Sequence, residues 1–481
     1  MPIDQYKDYA DYCVREARKA GAQYAEARIH GGAGSGFLLK NGEPQPSIVE
    51  DSFGIAARVI VDGAMGFSAT NLLSMQGVKD LTATTVKLAR ASSRLVKEPI
   101  SMGESRSASK KVSVEEKEPI EGGDPNWLKS LLNDIDKRIV AVERRAKGVK
   151  IPNRMMVASV GVEEKYIVTS DGAKVESRVP RFHFFGIFTA LKGGRAAQRM
   201  VQQGETGGLE IVKRIRLLEL VEEETRILAE VLDQAVKPPT GIMDVVLSPE
   251  LSGIAAHESV GHPQEADRIL GREGAQAGES YLSRNSLGMK VGSSEAFVSD
   301  DPTLAYSNGY SPVDDEGVTS TKRRLIVGGK ITEFLQNRAT ASLLGVKNNG
   351  SSRSVGFDRE PIIRMSNTFV EPGDYSTEEL VKQVKDGIYL KSFTEWNIDD
   401  KRLNQRYTGL EAYRIRGGET KELVRAPILE ITTPALWGSV KGRSKRLEFE
   451  AASCGKGDPM QGIPVWTGGP DTLLGGVRML A

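Results

Sequence analysis

Two of the four histidines in this chain lie five residues apart, in His257-Glu258-Ser259-Val260-Gly261-His262. An imidazole pair with a carboxylate beside the first ring is the raw material of a hydrolytic metal site. Neutral imidazoles hold a divalent ion, and the neighbouring Glu takes the proton of the water that attacks a carbonyl. The usual spacing is four, which sets both rings on one helix face. Five residues turn an ideal helix by about 500°, leaving the rings roughly 140° apart rather than about 40°. They converge only on a distorted helix. Gly261 weakens the helix at the right place, and Pro263 cannot donate to the Ser259 carbonyl. A π-type turn would bring His257 and His262 to one side. The plain alternative is a solvent-facing pair at a helix end.

A catalytic zinc takes three protein ligands and keeps one position open. Glu265, Asp267 and the distant Cys454 are candidates for the third ligand. Cys454 sits in Ala452-Ser453-Cys454-Gly455-Lys456-Gly457-Asp458-Pro459. This reads as a polar glycine loop, so an exposed thiolate is expected, with Lys456 lowering its pKa. A nucleophilic Cys454 is the competing reading, but no separate histidine stands out to activate the sulfur if both motif histidines hold metal.

The motif needs a strand and a helix start to present it. Ser248 is a natural N-cap and Pro249 suits the first helical position, so a helix opens right after a strand at 242–247. Earlier, helical spacing predicts helices at 4–20, 78–92, 127–142 and 210–236, with Cys13 as a buried apolar residue on the first. Strands are expected at 24–30, 55–61, 64–70, 155–162, 166–169, 174–179 and 182–191. Asp62-Gly63 marks a hairpin and Gly31 to Gly36 a turn. The stretch 97–124 reads as a spacer. His183 falls in a strand, as a sheet-packing histidine. A later helix is expected at 377–389.

Pro238-Pro239 divides the chain into two expected domains: 1–238, an N-terminal mixed sheet with flanking helices serving dimerisation or substrate access, and 239–481, a strand-rich domain carrying the metal-site helix. The class is α+β. The run Asp314-Asp315-Glu316, ended by Gly317, is expected to be an ordinary polar turn, against the sharper reading that it orients substrate.

Composition narrows the function. Apolar residues make up 39% and charged residues 27%, which suits a folded globular protein. Lys plus Arg is 65 against 64 for Asp plus Glu, so nucleic acid is not an expected partner. No apolar run approaches 18 residues and the N-terminus has no signal-like pattern, so no membrane segment or secretion is expected. With only Cys13 and Cys454 as cysteines, a reducing, cytoplasmic setting fits.

The chain resembles the TldD/PmbA family, specifically its TldD-type subunit, nearly end to end. The resemblance rests on the His257-Glu258-x-x-x-His262 motif, the 22–30 strand after a helix, Asp51-Ser52-Phe53-Gly54 leading to Val61-Asp62-Gly63-Ala64-Met65-Gly66-Phe67-Ser68, Asp301-Pro302-Thr303-Leu304, Asp314-Asp315-Glu316-Gly317-Val318 and Cys454-Gly455-Lys456. It implies a Zn²⁺ peptidase acting on unfolded peptides inside the chamber of a two-subunit assembly, either a homodimer or a heterodimer with a metal-free paralogue. Carried over by position, it implies His257, His262 and Cys454 as ligands and Glu258 as base. The family's link to DNA gyrase supplies the other class of reading, a noncatalytic binding protein such as a topoisomerase modulator.

Overall fold

A computed structural model describes residues 3–103, 108–120, 126–274 and 278–481. Helix α1 (Lys7–Lys19) turns Ala10, Cys13, Val14 and Ala17 inward, so Cys13 is a core residue, as its apolar stripe predicts. Strand β1 (Tyr24–Lys40) then runs straight through the glycines expected to turn. They permit backbone approach instead: a Cβ on Gly34 would lie 2.8 Å from the Val160 carbonyl oxygen, and one on Gly36 2.9 Å from Ser159 Cβ. Strands β2 (Ile48–Val61) and β3 (Ala64–Thr70) form the expected hairpin, with Asp62 and Gly63 at φ of 49° and 73°.

Helices α2 (Met75–Ser93) and α3 (Asn126–Arg145) follow. The spacer between them carries a short strand, Ser109–Ser113, while 104–107 and 121–124 of that expected spacer lie outside the described residues. Strands β4 (Lys150–Thr169) and β5 (Lys174–Lys192) each fuse two expected strands. The charges at the joints between them are paired: Lys165 with Glu163 (3.0 Å) and Asp315 (3.1 Å), and Arg181 with Glu163 (3.1 Å). His183 lies in β5, opposite Ser159 and Gly204. After β6 (Arg195–Thr206), the helix expected at 210–236 breaks at Arg216, whose left-handed backbone (φ 49°, ψ 50°) separates Glu210–Ile215 from α4 (Leu217–Gln234).

These strands form one sheet in the order β3-β2-β1-β4-β5, with β6 on β5. Its strands are long enough to carry two cores. Helices α1 and α2 cover one, around Ile29, Ile55 and Val78; α3 and α4 cover the other, around Leu132, Phe182 and Leu228.

The second half builds two further large sheets. Strand β7 (Gly241–Leu247) lies centrally in the nine-stranded one, and helix α5 (Pro249–Ala256) leaves its end. The six-stranded sheet contains β8 (Asn367–Val370) and finishes with β9 (Glu448–Lys456) on its edge, paired to β10 (Gln461–Gly469). Strand β11 (Thr472–Leu480) returns beside β7. Helix α5 crosses close over β10, where a Cβ on Gly253 would meet the Gly468 nitrogen at 2.4 Å. The helix expected at 377–389 stops at Lys382, because Asp386–Leu390 is taken as a strand parallel to β7. The architecture is α+β, as expected.

The acidic run is not a solvated turn. Gly317 does end it at φ 72°, but all three carboxylates are buried. Asp314 accepts from the Glu316 and Val318 amides, Asp315 receives Lys165, and Glu316 receives Arg58 at 2.7 Å. The run bolts the second half of the chain onto the first sheet, and none of it reaches the cavity described below. Among the described residues no helix is long and apolar enough to cross a membrane.

Candidate metal centre

Ser248 Oγ accepts from the Leu251 amide and Pro249 fills the first turn, so α5 starts where its sequence says it should. The α-helix ends at Ala256. A π-helical turn, His257–Gly261, takes over and passes into a 3-10 turn at His262–Gln264. This is the distortion that five-residue spacing demands: the two imidazole centroids lie 4.9 Å apart with the rings at 79°. Ser259 Oγ donates to the Ala255 carbonyl (2.6 Å) and accepts from Trp437 Nε1 (3.0 Å), fixing the turn from within. Gly261 packs against Met365, where a Cβ would lie 1.9 Å from Sδ. Gly261→Ala is therefore expected to destabilise the fold by about 1–3 kcal/mol in thermal or denaturant unfolding. In a Met365→Ala background, where the sulfur is gone, Gly261→Ala should cost much less; an undiminished cost there would show that this contact is not the cause.

Cys454 completes the cluster. One ligand atom from each of His257, His262 and Cys454 lies within 4.8 Å of the others, and Cys454 Sγ is 3.6 Å from His262 Nε2. Two expectations about this cysteine need correction. It is not on an exposed loop: it lies in β9, 5% exposed, because the turn begins only after Lys456, which still pairs with Gln461. Nor does Lys456 tune it. That lysine is fully buried among Asp267 (2.8 Å to both oxygens), Glu265 (3.3 Å) and the Ile363 carbonyl (2.8 Å). Burial pushes the Cys454 thiol up, but His262 and Arg364 outweigh it and hold the thiol at about 7.

Of the alternative ligands, neither joins the triad. Glu265 Oε2 lies 3.0 Å from His262 Nδ1 and 2.6 Å from Arg268 Nε, while Asp267 is taken by Lys456. With a carboxylate as acceptor, His262 Nδ1 is the donor and Nε2 presents its lone pair to the cluster. Burial opposes the Glu265 charge, yet Lys456, His262 and Arg268 prevail and keep it well below the usual carboxylate range. Burial also lowers both histidines toward the neutral, ligating form. His257 Nδ1 is buried with no hydrogen-bond partner among the described residues. Two imidazoles and an easily ionised thiol, already gathered, suit one metal ion.

Glu258 faces the same cavity, about 350 Å³ in volume, and Arg402 Nη1 donates to its Oε2 at 2.6 Å. Burial raises the Glu258 carboxyl, against the pull of His257 and Arg402. Sequence reasoning missed Arg402, Trp437 and Arg268. The first two stand more than a hundred residues from the motif in a different part of the chain, with no local pattern to flag them. The spacing of His262 and Glu265, one helical turn, was the available sign of an orienting carboxylate.

Three family models match in succession: PmbA/TldA metallopeptidase domain 1 over 25–89, the central domain over 109–237 and the C-terminal domain over 240–480. A metalloprotease of Methanothermobacter thermautotrophicus is 30% identical over 453 residues, covering 94% of each chain, and one of Methanocaldococcus jannaschii is 28% identical, covering 93% of this chain and 94% of that one. A zinc metalloprotease TldD homolog of Saccharolobus solfataricus is 31% identical over 234 residues, 48% of this chain and 50% of its own. Among solved structures, TldE from Thermococcus kodakarensis shares the fold at a TM-score of 0.73 and 16% identity, covering 98% of this chain and 100% of its own. A C-terminal model spanning half the chain, together with full-length relatives at this identity, establishes that the chain belongs to the PmbA/TldD metallopeptidase family.

Proposed function

We propose that this chain is a zinc-dependent peptidase that hydrolyses unfolded or extended peptides, with His257, His262 and Cys454 holding the ion and Glu258 as general base. The observation that carries the reading is the π-turn at His257–Gly261. It reconciles a five-residue histidine spacing with a single metal and leaves Glu258 facing the same cavity. Zinc, when bound, supplies Lewis acidity that polarises a scissile carbonyl and makes water a better nucleophile. The chain's own groups do the rest. Glu258 takes the proton of the attacking water and returns it to the leaving amine. Glu265 fixes the His262 ring, and Arg268 and Lys456 hold Glu265 in its charged form. Each of the four central side chains is 5% exposed or less, which favours an extended chain over a folded protein as substrate.

Incubation of the zinc-loaded protein with an unstructured peptide and a stably folded protein tests the reading. The peptide should be cut and the folded protein spared; a chelator should stop cleavage and zinc restore it. Cleavage indifferent to the chelator would refute it. Glu265→Gln should weaken zinc affinity by about 10–100-fold, measured by competition with a chelating dye. An unchanged affinity would deny Glu265 its orienting role.

A further inference from the structure

We infer that Arg402 is a catalytic residue of the proposed peptidase reaction: with one guanidinium arm it holds Glu258, and with another it receives the oxygen of the scissile carbonyl as that oxygen gains charge. The inference rests on the zinc-peptidase reading. It starts from a mismatch between what the guanidinium offers and what it uses. The group carries five N–H donors. Among the described residues the bond it makes is to Glu258, and Nε is buried with no acceptor. Arg364 also has an unpartnered Nε, but both of its terminal nitrogens donate, to the backbone carbonyls of Gln461 and Cys454, whereas Arg402 Nη2 has no such acceptor among the described residues. The Arg402 side chain is 12% exposed and lines the cavity shared by His257, His262, Cys454 and Glu258.

The backbone is built to put it there. Arg402 has φ of 62°, a region that non-glycine residues rarely enter. Asp399 holds the turn by accepting from the Leu403 amide at 2.7 Å and the Asn404 amide at 3.1 Å; the Arg402 amide donates to the Asp399 carbonyl at 2.9 Å. Thr433 Oγ1 closes the arrangement by donating to the Arg402 carbonyl at 2.8 Å. A counter-ion for a buried Glu258 explains one N–H, and leaves unexplained a cation with spare donors on the wall of the reaction cavity.

The chemistry that needs such donors is carbonyl addition. As the water oxygen bonds to the carbonyl carbon, the water proton passes to Glu258 and the π pair moves onto the carbonyl oxygen. The pair returns as the C–N bond breaks, and the amine leaves with the proton that Glu258 held. The oxygen is anionic only between these two events, so a donor aimed at it acts on the transition state far more than on the bound peptide.

Arg402→Gln in the zinc-loaded protein should lower kcat by about 10²–10³-fold, the usual loss of one oxyanion donor. KM should move by less than about threefold, since little ground-state binding is removed. Arg402→Lys should recover part of kcat, and zinc content should match the parent in both. The second readout is binding of a phosphinic peptide, whose tetrahedral oxygens mimic the adduct. In a Glu258→Gln background, Arg402→Gln should weaken this ligand by about 10²-fold and the matching uncleaved peptide far less. If the variant has no further effect once Glu258 is Gln, Arg402 only holds the base and the inference is overturned. It is also overturned if the loss is confined to peptides with a free C-terminal carboxylate and absent with amidated ones. Should Arg402→Gln fail to fold, Arg402→Met, which keeps the side-chain length and removes every donor, carries the same comparison. A parent that cleaves normally beside an indifferent variant sinks this inference alone; a zinc-loaded parent that neither cleaves nor binds the phosphinic peptide sinks the peptidase reading and this one with it.

Discussion

Glu258→Gln should reduce peptide hydrolysis by at least about 10²-fold and by as much as about 10⁴-fold, the range of general-base contributions. The substitution keeps the size and shape of the side chain and leaves His257, His262 and Cys454 in place. Arg402 Nη1 still finds an oxygen acceptor in the Gln amide, so the turn that carries Arg402 keeps its partner. What disappears is the atom that accepts a proton. Zinc content and the unfolding midpoint are the controls, because loss of a buried negative charge beside Arg402 could otherwise mimic a chemical defect. Hydrolysis at the parent rate, with zinc content intact, would show that the proton goes elsewhere and that Glu258 is not the general base.

The candidate site was legible where its rule is local. Ser248 and Pro249 announce a helix start, and the five-residue step from His257 to His262 announces its distortion, because both follow from helix geometry alone. The fold class and most helices were readable for the same reason: apolar spacing states the period. Strand ends were not. Gly34 and Gly36 look like a turn, yet they serve a close backbone approach that no pattern within β1 reveals. Glu163 and Lys165 look like a loop until Arg181 and Asp315 arrive from elsewhere to pair them. Cys454 shows the same limit. Its glycine-rich, polar surroundings suggested exposure, but β9 continues through Lys456, and that lysine is matched by Asp267 on a segment nearly two hundred residues earlier. Buried charge is what sequence reading handles worst, since a charged residue is read as solvated until its partner is known.

His262→Ala and Cys454→Ala should each take bound zinc from about one ion per chain to near none at working concentrations, by metal analysis of the purified protein. Losing one of three protein ligands leaves a two-donor site in a pocket already arranged for three. The cysteine is the sharper test, because the two thiols of this chain, Cys13 and Cys454, lie in opposite electrostatic settings. Burial drives the Cys13 thiol up to about 11, with Thr82 its hydrogen-bond partner, so it is a poor ligand and Cys13→Ala should leave zinc unchanged. Cys454, held at about 7 beside His262, is ready to ionise on binding. Thermal unfolding gives an independent reading, because an ion that binds only the folded chain raises its stability. A chelator should therefore lower the melting temperature of the parent and of Cys13→Ala, and leave those of His262→Ala and Cys454→Ala where they were. If Cys454→Ala holds zinc as tightly as the parent, the third donor is another group. Glu265 would then be the first candidate, since its Oε1 is buried without a partner among the described residues.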